Sequence, residues 1–335
     1  MARKRMKSKI QPAVQTLRFT TSTVNVGSPQ TFFIDLSQCA SLMNRRFYRQ
    51  GLNWAVANFK ISTPASGSVA IQKLPNTWVM SNAWEKSFRA WQQMIKNATD
   101  EAGAESIKGK FLDFKIYANA EHHRQGFGSN LRPESFDLTG NFTAAPGLWQ
   151  PSSIEVPETS TVTGASTEYE LIAVGPNNPG AGASGFNAKS LIAGYANSRA
   201  LPSITDPNVP DDASNYTQNW MLAMFNDGTL QDSSVMDTLE EEGNQPPYPF
   251  ENDGTNTDTM YPGGETQLPT LQTHSTHLVT GTTVGGMTNL KGGNFPCGLI
   301  AITWIPSDQT SGIGIEIDLV PGMHRGYLCE PMTEM

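Results

Sequence analysis

The sequence predicts an all-β sandwich on three observations. Segments rich in β-branched and aromatic residues sit at both chain ends. One run near the C-terminus alternates strictly, with Ile313, Ile315, Ile317 and Leu319 set between Gly314, Glu316 and Asp318. Long stretches of turn chemistry separate the ends, so the terminal strands need each other to form sheets. That favours one sandwich over two sequential domains. At 335 residues the chain is long enough to bury such a core without disulfide staples.

Residues 14–20 and 30–35 read as the first strands. The segment 52–56 alternates, and Ala57, Phe59 and Ile61 then alternate on the opposite parity, which predicts a bulge near Val56 and Ala57. Short strands over 68–74 and 77–80 are separated at Pro75. One amphipathic helix is expected at about 83–97. Asn82 and Glu85 match a capping box, Trp84, Phe88, Trp91 and Ile95 recur at helical spacing, and Gly103 supplies a stop. Its aromatic stripe reads as core packing rather than a platform for stacking bases. Residues 111–117 read as a further half-buried strand.

Gly, Pro, Asn, Asp, Ser and Thr then predict long loops over about 133–165 and 176–295. Strands are expected inside them at 168–174 and, in shorter form, at 219–225 and 276–280. The span 202–269 is acidic. The chain ends in an apolar strand at 297–305, a loop at 306–312 and the alternating strand at 313–319, read together as a hairpin.

Charge is divided unevenly. Residues 1–132 hold 19 of the 23 Lys and Arg and 7 of the 31 Asp and Glu, whereas residues 133–335 hold 4 and 24. The basic part opens with Arg3, Lys4, Arg5, Lys7 and Lys9. Residues 1–12 are expected as an arm with almost nothing apolar to bury. It reads as a nuclear-import signal, a nucleic-acid arm or both, with a merely solubilising terminus as the plain alternative. A second cluster interleaves Arg45, Arg46 and Arg49 with Phe47 and Tyr48. Guanidinium groups clamp phosphate and aromatic rings stack on unpaired bases. Arginines that pair with acids between subunits are the alternative.

Other motifs carry less. Gly180 to Gly185 matches GxGxxG between the strand at 168–174 and a possible helix near 187–193, but residues 175–179 separate it from that strand, and a dinucleotide fold needs those glycines in the first tight turn. His274 with His277, and His122 with His123, lack partners at known ligand spacing. No nucleophile elbow is present, and Glu240, Glu241 and Glu242 read as a solvated loop. Cys39, Cys297 and Cys329 read as reduced thiols. Three acceptor-like sites at Asn97, Asn141 and Asn215 mean little, since no secretory leader is expected. No catalytic residue, metal or cofactor is expected, and the chain is not read as an enzyme.

Three stretches carry a resemblance. They are residues 34–56, centred on Arg45-Arg46-Phe47-Tyr48-Arg49-Gln50-Gly51-Leu52-Asn53-Trp54; the run Leu74-Pro75-Asn76-Thr77-Trp78 with the Trp84 and Trp91 helix; and the ending Val320-Pro321-Gly322-Met323-His324-Arg325-Gly326-Tyr327-Leu328-Cys329-Glu330-Pro331-Met332. Together they resemble capsid proteins of small circular single-stranded DNA viruses, in particular the stool-associated, circovirus-related group. The likeness covers roughly the first third and the last tenth of the chain. It implies a single eight-stranded antiparallel jelly roll. It also implies a homomeric icosahedral shell, a packaged circular ssDNA genome, a virion assembled in the host nucleus, and a host-cell receptor as a further partner.

The family usually carries a longer, Arg-dominated arm. In a shell of about 60 copies, five arm charges per copy supply about 300, against about one phosphate charge per nucleotide. Since about 1,000 nucleotides are needed to encode this chain alone, the arms neutralise under a third of that. The remainder falls to small cations and to an inner wall on which Arg45, Arg46 and Arg49 are the first candidates. The acidic loops are expected to face outward and the arm inward. A non-capsid β protein that binds single-stranded nucleic acid, and a jelly-roll glycan-binding module, are the alternatives from other classes.

Overall fold

The alternating segments at the two chain ends pair with each other, Leu17 opposite Ile317 and Phe19 opposite Ile315. The computed structural model describes residues 12–103, 113–137, 140–157, 166–199, 270–280 and 286–334. In chain order it begins with β1 (Thr16–Thr20), β2 (Gln30–Asp35), α1 (Leu36–Asn44), β3 (Leu52–Ser62), β4 (Gly67–Lys73) and α2 (Trp78–Ala102). There follow α3 (Ala120–Gln125), β5 (Glu134–Asp137), β6 (Gly140–Thr143), β7 (Ser153–Pro157), β8 (Ser166–Ile172), β9 (Asn187–Ser190) and α4 (Leu191–Arg199). The last part holds β10 (Gln272–Val279), β11 (Thr288–Phe295), β12 (Leu299–Pro306), β13 (Gly314–Leu319), β14 (Pro321–Gly322), β15 (Gly326–Tyr327) and β16 (Cys329–Pro331). The protein is mostly β, with several antiparallel sheets and few helices.

Two compact units result. One draws on residues up to 74, on 128–149 and on 272 onward; the other draws on 75–127 and 150–271. The first unit has two main sheets. One runs β1-β13-β3-β11, with β16 added beside β3; the other runs β10-β4-β12-β2. Every pairing in both is antiparallel. The buried residues Leu17, Phe19, Trp54, Phe59, Ile61, Ile315 and Ile317 of the first sheet join Ile34, Val69, Ile71, Ile300, Ile302 and Trp304 of the second in one core. Each buried side chain of this size contributes about 1.5–3 kcal/mol. A one-residue slip of β13 would turn Ile315, Ile317 and Leu319 to solvent together, which fixes the register.

The bulge in β3 lies where the parity change put it. Asp318 pairs with Asn58 and Leu319 with Val56, leaving Ala57 without a partner on β13. On the other side, β11 carries glycine at the same level. A Cβ on Gly292 would stand 2.1 Å from the Val56 carbonyl oxygen and 2.3 Å from that of Ala57. Only glycine lets β11 close on the bulged backbone.

Several expectations are overturned. The strands at 297–305 and 313–319 do not form a hairpin: both flanks of β12 are taken, by β2 and β4, so the chain crosses over and β13 enters the other sheet between β1 and β3. The helix begins a turn and more before 83. Thr77 is its N-cap, with Oγ1 accepting from the Met80 N–H at 3.4 Å, so residues 77–80 are no strand. Asn82 instead donates to the Tyr195 hydroxyl, and Glu85 pairs with Arg89. The stop at Gly103, at φ 60°, is as expected. α2 is not the only helix, since α1 and α3 are also present. The spans expected as loops also contain β5, β6, β7, β9, α4 and β11, whereas β10 overlaps the short strand expected at 276–280. Residues 1–11, 111–112, 200–269 and hence the strand expected at 219–225 lie outside the described residues.

In the second unit β8 pairs antiparallel with β7 and parallel with β9, so this sheet is mixed. Trp84 stacks on Phe88 at 5.0 Å, and Trp91 meets Phe114 at 5.5 Å. Trp84 and Trp91 are each only 6% exposed, and Phe88 and Ile95 are half-buried, so the stripe packs against its own unit.

Candidate nucleic-acid interface

α1 ends at Asn44, and the chain turns through Arg45 in the left-handed region at φ 53°. Asn44 fastens this turn. Its Oδ1 accepts from the Val14 N–H at 3.0 Å, and its Nδ2 donates to the Ala40 carbonyl at 2.9 Å and the Tyr327 hydroxyl at 2.7 Å. The Tyr327 hydroxyl in turn donates to the Val14 carbonyl at 2.6 Å. Burial pushes that hydroxyl up to about 12, so it keeps its proton at any ordinary pH.

The loop from Arg45 to Gln50 separates what is buried from what is not. Tyr48 and Gln50 are fully buried, while Arg45, Arg46 and Arg49 are exposed. The Tyr48 ring lies 5.9 Å from Trp54 and 5.5 Å from Tyr327, an aromatic anchor under the loop. Gln50 donates to Asp35 Oδ2 at 3.1 Å, and Ser37 Oγ donates to the Arg49 carbonyl at 3.1 Å. Arg49 lies over the Phe47 ring, 5.6 Å from its centroid.

A fourth guanidinium joins them from the far end of the chain. Arg325, exposed at the tip between β14 and β15 with φ 51°, donates to the Phe47 carbonyl. The Arg325 carbonyl accepts from the Tyr48 hydroxyl at 2.9 Å and from Arg46 at 3.5 Å. Arg46 also donates to the Pro12 carbonyl at 3.2 Å. Pro12 is the first described residue, so the described chain begins beside the arginines. Arg3, Lys4, Arg5, Lys7 and Lys9 themselves lie outside the described residues.

Ion pairs take up many of the described cations outside this cluster, although not Lys96, Arg132 or Lys291. Arg18 pairs with Glu316, Lys60 with Glu316 and Asp318, Arg89 with Glu85, Lys115 with Asp113 and Arg124 with Glu121. Among the described residues, Arg45, Arg46 and Arg325 form no ion pair. Unneutralised guanidinium groups on one surface attract phosphate or carboxylate, and Phe47 beside Arg49 adds a ring able to take a planar base. Sequence reasoning named Arg45, Arg46 and Arg49 as candidates, but not Arg325. Its signal was its rarity: it is one of only 4 cations after residue 132.

The remaining motifs have structural settings. Gly182 approaches His123 so closely that a Cβ there would stand 2.3 Å from its Nε2, and the Ala183 N–H donates to the His123 carbonyl. The GxGxxG run is thus a turn seated on α3. His123 lies 2.8 Å from Glu170 inside the second unit, His122 Nδ1 accepts from the Ala118 N–H, and His274 Nε2 meets the Lys291 carbonyl. Among the described residues no three His, Cys, Asp or Glu side chains are grouped to hold a metal. Cys39, Cys297 and Cys329 are free. No described helix is long and apolar enough to cross a membrane.

Comparison of the chain with protein-family models, with curated proteins and with solved structures finds no match.

Proposed function

We propose that this chain is a viral capsid subunit that assembles into an icosahedral shell and holds single-stranded DNA through Arg45, Arg46, Arg49, Arg325 and the arm from Arg3 to Lys9. The observation that carries the reading is the cluster of exposed arginines, three of them without an ion-pair partner, at the point where the described chain begins. The architecture supports it. Eight strands in the orders β1-β13-β3-β11 and β10-β4-β12-β2, with successive strands sent to opposite sheets except for the paired β4 and β10, fit a jelly roll, a fold used by capsids and by lectins. A fold does not fix a function, and so the arginines decide between those uses. The arm and cluster face the packaged genome, and the acidic middle of the chain faces water, where like charge keeps particles apart. The same basic arm carries the subunit into the host nucleus for assembly.

The test is electron microscopy of the purified full-length chain, together with titration of oligothymidylate at several salt concentrations. Closed shells and binding that weakens steeply with salt are expected. A monomer or small oligomer that binds oligothymidylate would replace the capsid with a non-capsid binding protein. Glycan binding without DNA binding would transfer the fold to the lectin class.

A further inference from the structure

Asp35 is fully buried where β2 ends and α1 begins. Its Oδ1 accepts from the N–H groups of Ser37 at 2.9 Å and Gln38 at 3.2 Å. Its Oδ2 accepts from Gln50 Nε2 at 3.1 Å and from the Trp149 indole at 2.9 Å. One carboxylate thus joins three segments: the first turn of α1, the end of the arginine loop and residue 149. An ionised carboxylate offers about four acceptor positions and no hydrogen, so all four donors are served. A neutral acid must place its own hydrogen on one oxygen. Oδ1 faces two backbone donors held by the helix, whereas Oδ2 faces two side-chain donors, which shift without unwinding a helix turn. The proton therefore belongs on Oδ2, where it displaces Gln50 or Trp149.

We propose that Asp35 is a proton-operated latch on the arginine loop. Ionised, it holds Gln50 and Trp149 and so fixes the segment that presents Arg45, Arg46 and Arg49. Neutral, it releases one of the two donors and the loop loosens. The regulatory meaning rests on the reading of that loop as the DNA site; the latch itself does not.

Burial raises the Asp35 carboxyl from 3.8 to about 7, against the lowering pull of Gln38, Gln50, Trp149 and Ser37, so the latch turns over near neutrality. Its surroundings add little charge. On α1 the Cys39 thiol is held well above its usual range by burial and then by Asp35, and stays neutral there. β12 sets Leu299 opposite Asp35, and residues 144–149 contain no titratable side chain. From the loop, Arg49 brings its carbonyl to Ser37 while its guanidinium is exposed.

The test labels the full-length chain with 5-fluorotryptophan and follows the Trp149 fluorine resonance, assigned with Trp149→Phe, from about pH 8.5 to about pH 5.5. Oligothymidylate affinity is measured on the same samples. A one-proton transition near pH 7 is expected. Gln50→Leu removes a donor to the charged form and should move the midpoint up by about one unit. Asp35→Asn should remove the transition and leave the acid-side signal; if that variant does not fold, Gln50→Leu decides alone. Affinity should fall about threefold or more on acidification, although acid adds positive charge to the protein. A flat Trp149 resonance, or a midpoint indifferent to Gln50→Leu, would overturn the latch whether or not DNA binds. A latch that titrates as expected in a chain that never binds oligothymidylate would overturn the DNA reading alone.

Discussion

The Tyr48 hydroxyl donates to the Arg325 carbonyl at 2.9 Å, joining two residues that stand 277 positions apart. Arg325 has φ 51°, a conformation that costs a side-chain-bearing residue free energy unless its surroundings hold it. Tyr48 supplies part of that hold, and its own ring is fixed by Trp54 and Tyr327. Tyr48→Phe keeps the ring packing and removes the hydrogen bond. Urea denaturation should show a loss of about 1 kcal/mol. Oligothymidylate affinity should fall several-fold as the tip bearing Arg325 loosens. A loss of stability with unchanged affinity would separate the tip from the interface.

Salt dependence counts the charges involved. For single strands the slope of log affinity against log salt is about 0.7 for each phosphate neutralised. Arg325→Gln should therefore reduce the slope by about 0.7, and joint replacement of Arg45, Arg46 and Arg49 by Gln by about 2. Arg18→Gln is the matched control, because Glu316 already neutralises Arg18 at 2.7 Å. An equal effect from Arg18→Gln would reduce the cluster to one contribution among many.

Gly292 and the bulge at Ala57 form a pair that can be tested by one methyl group. In Gly292→Ala the new Cβ would lie 2.1 Å from the Val56 oxygen, and what must move is backbone in the middle of β3. The expected cost is about 1–3 kcal/mol, the range for inserting atoms where none fit. Thermal unfolding should show it as a clear drop in Tm. An unchanged Tm would mean that β11 does not close on the bulge in solution.

These residues also show what the sequence could and could not reveal. The bulge was legible because a parity change between Val56 and Phe59 is local to the strand that carries it. Strand β13 was legible for the same reason. Its neighbours were not, because pairing depends on which strand edge is already taken, and β12 has none left for β13. Gly292 looked like a loop glycine, since the reason for it lies on β3, far earlier in the chain. The site divides in the same way. Arg45, Arg46 and Arg49 are dense enough to read directly, whereas Arg325 acquires its meaning only when β14 and β15 bring it to Phe47. α1 was missed although Asp35 is an N-cap type, because the apolar strand before it masks the change of period.

Asp35 also gives global stability a pH response opposite to that of the loop it latches. In the unfolded chain its carboxyl titrates near the ordinary 3.8, and in the folded chain near 7. Between those values the folded protein binds a proton that the unfolded chain does not, so lowering the pH through this window favours folding. Above 7 the burial of the charge weighs in full against the fold. In Asp35→Asn there is no such proton. The stability of the wild type relative to Asp35→Asn should thus increase as the pH falls from about 8 to about 5, even as the wild-type loop loosens. Urea denaturation of both chains at the two pH values measures this difference, and other titrating groups cancel in it. A difference that shrinks on acidification would mean that the four donors outweigh burial and hold the Asp35 carboxyl below its ordinary value. The latch would then stay closed across that range, and acidification would leave Gln50 and Trp149 where they are.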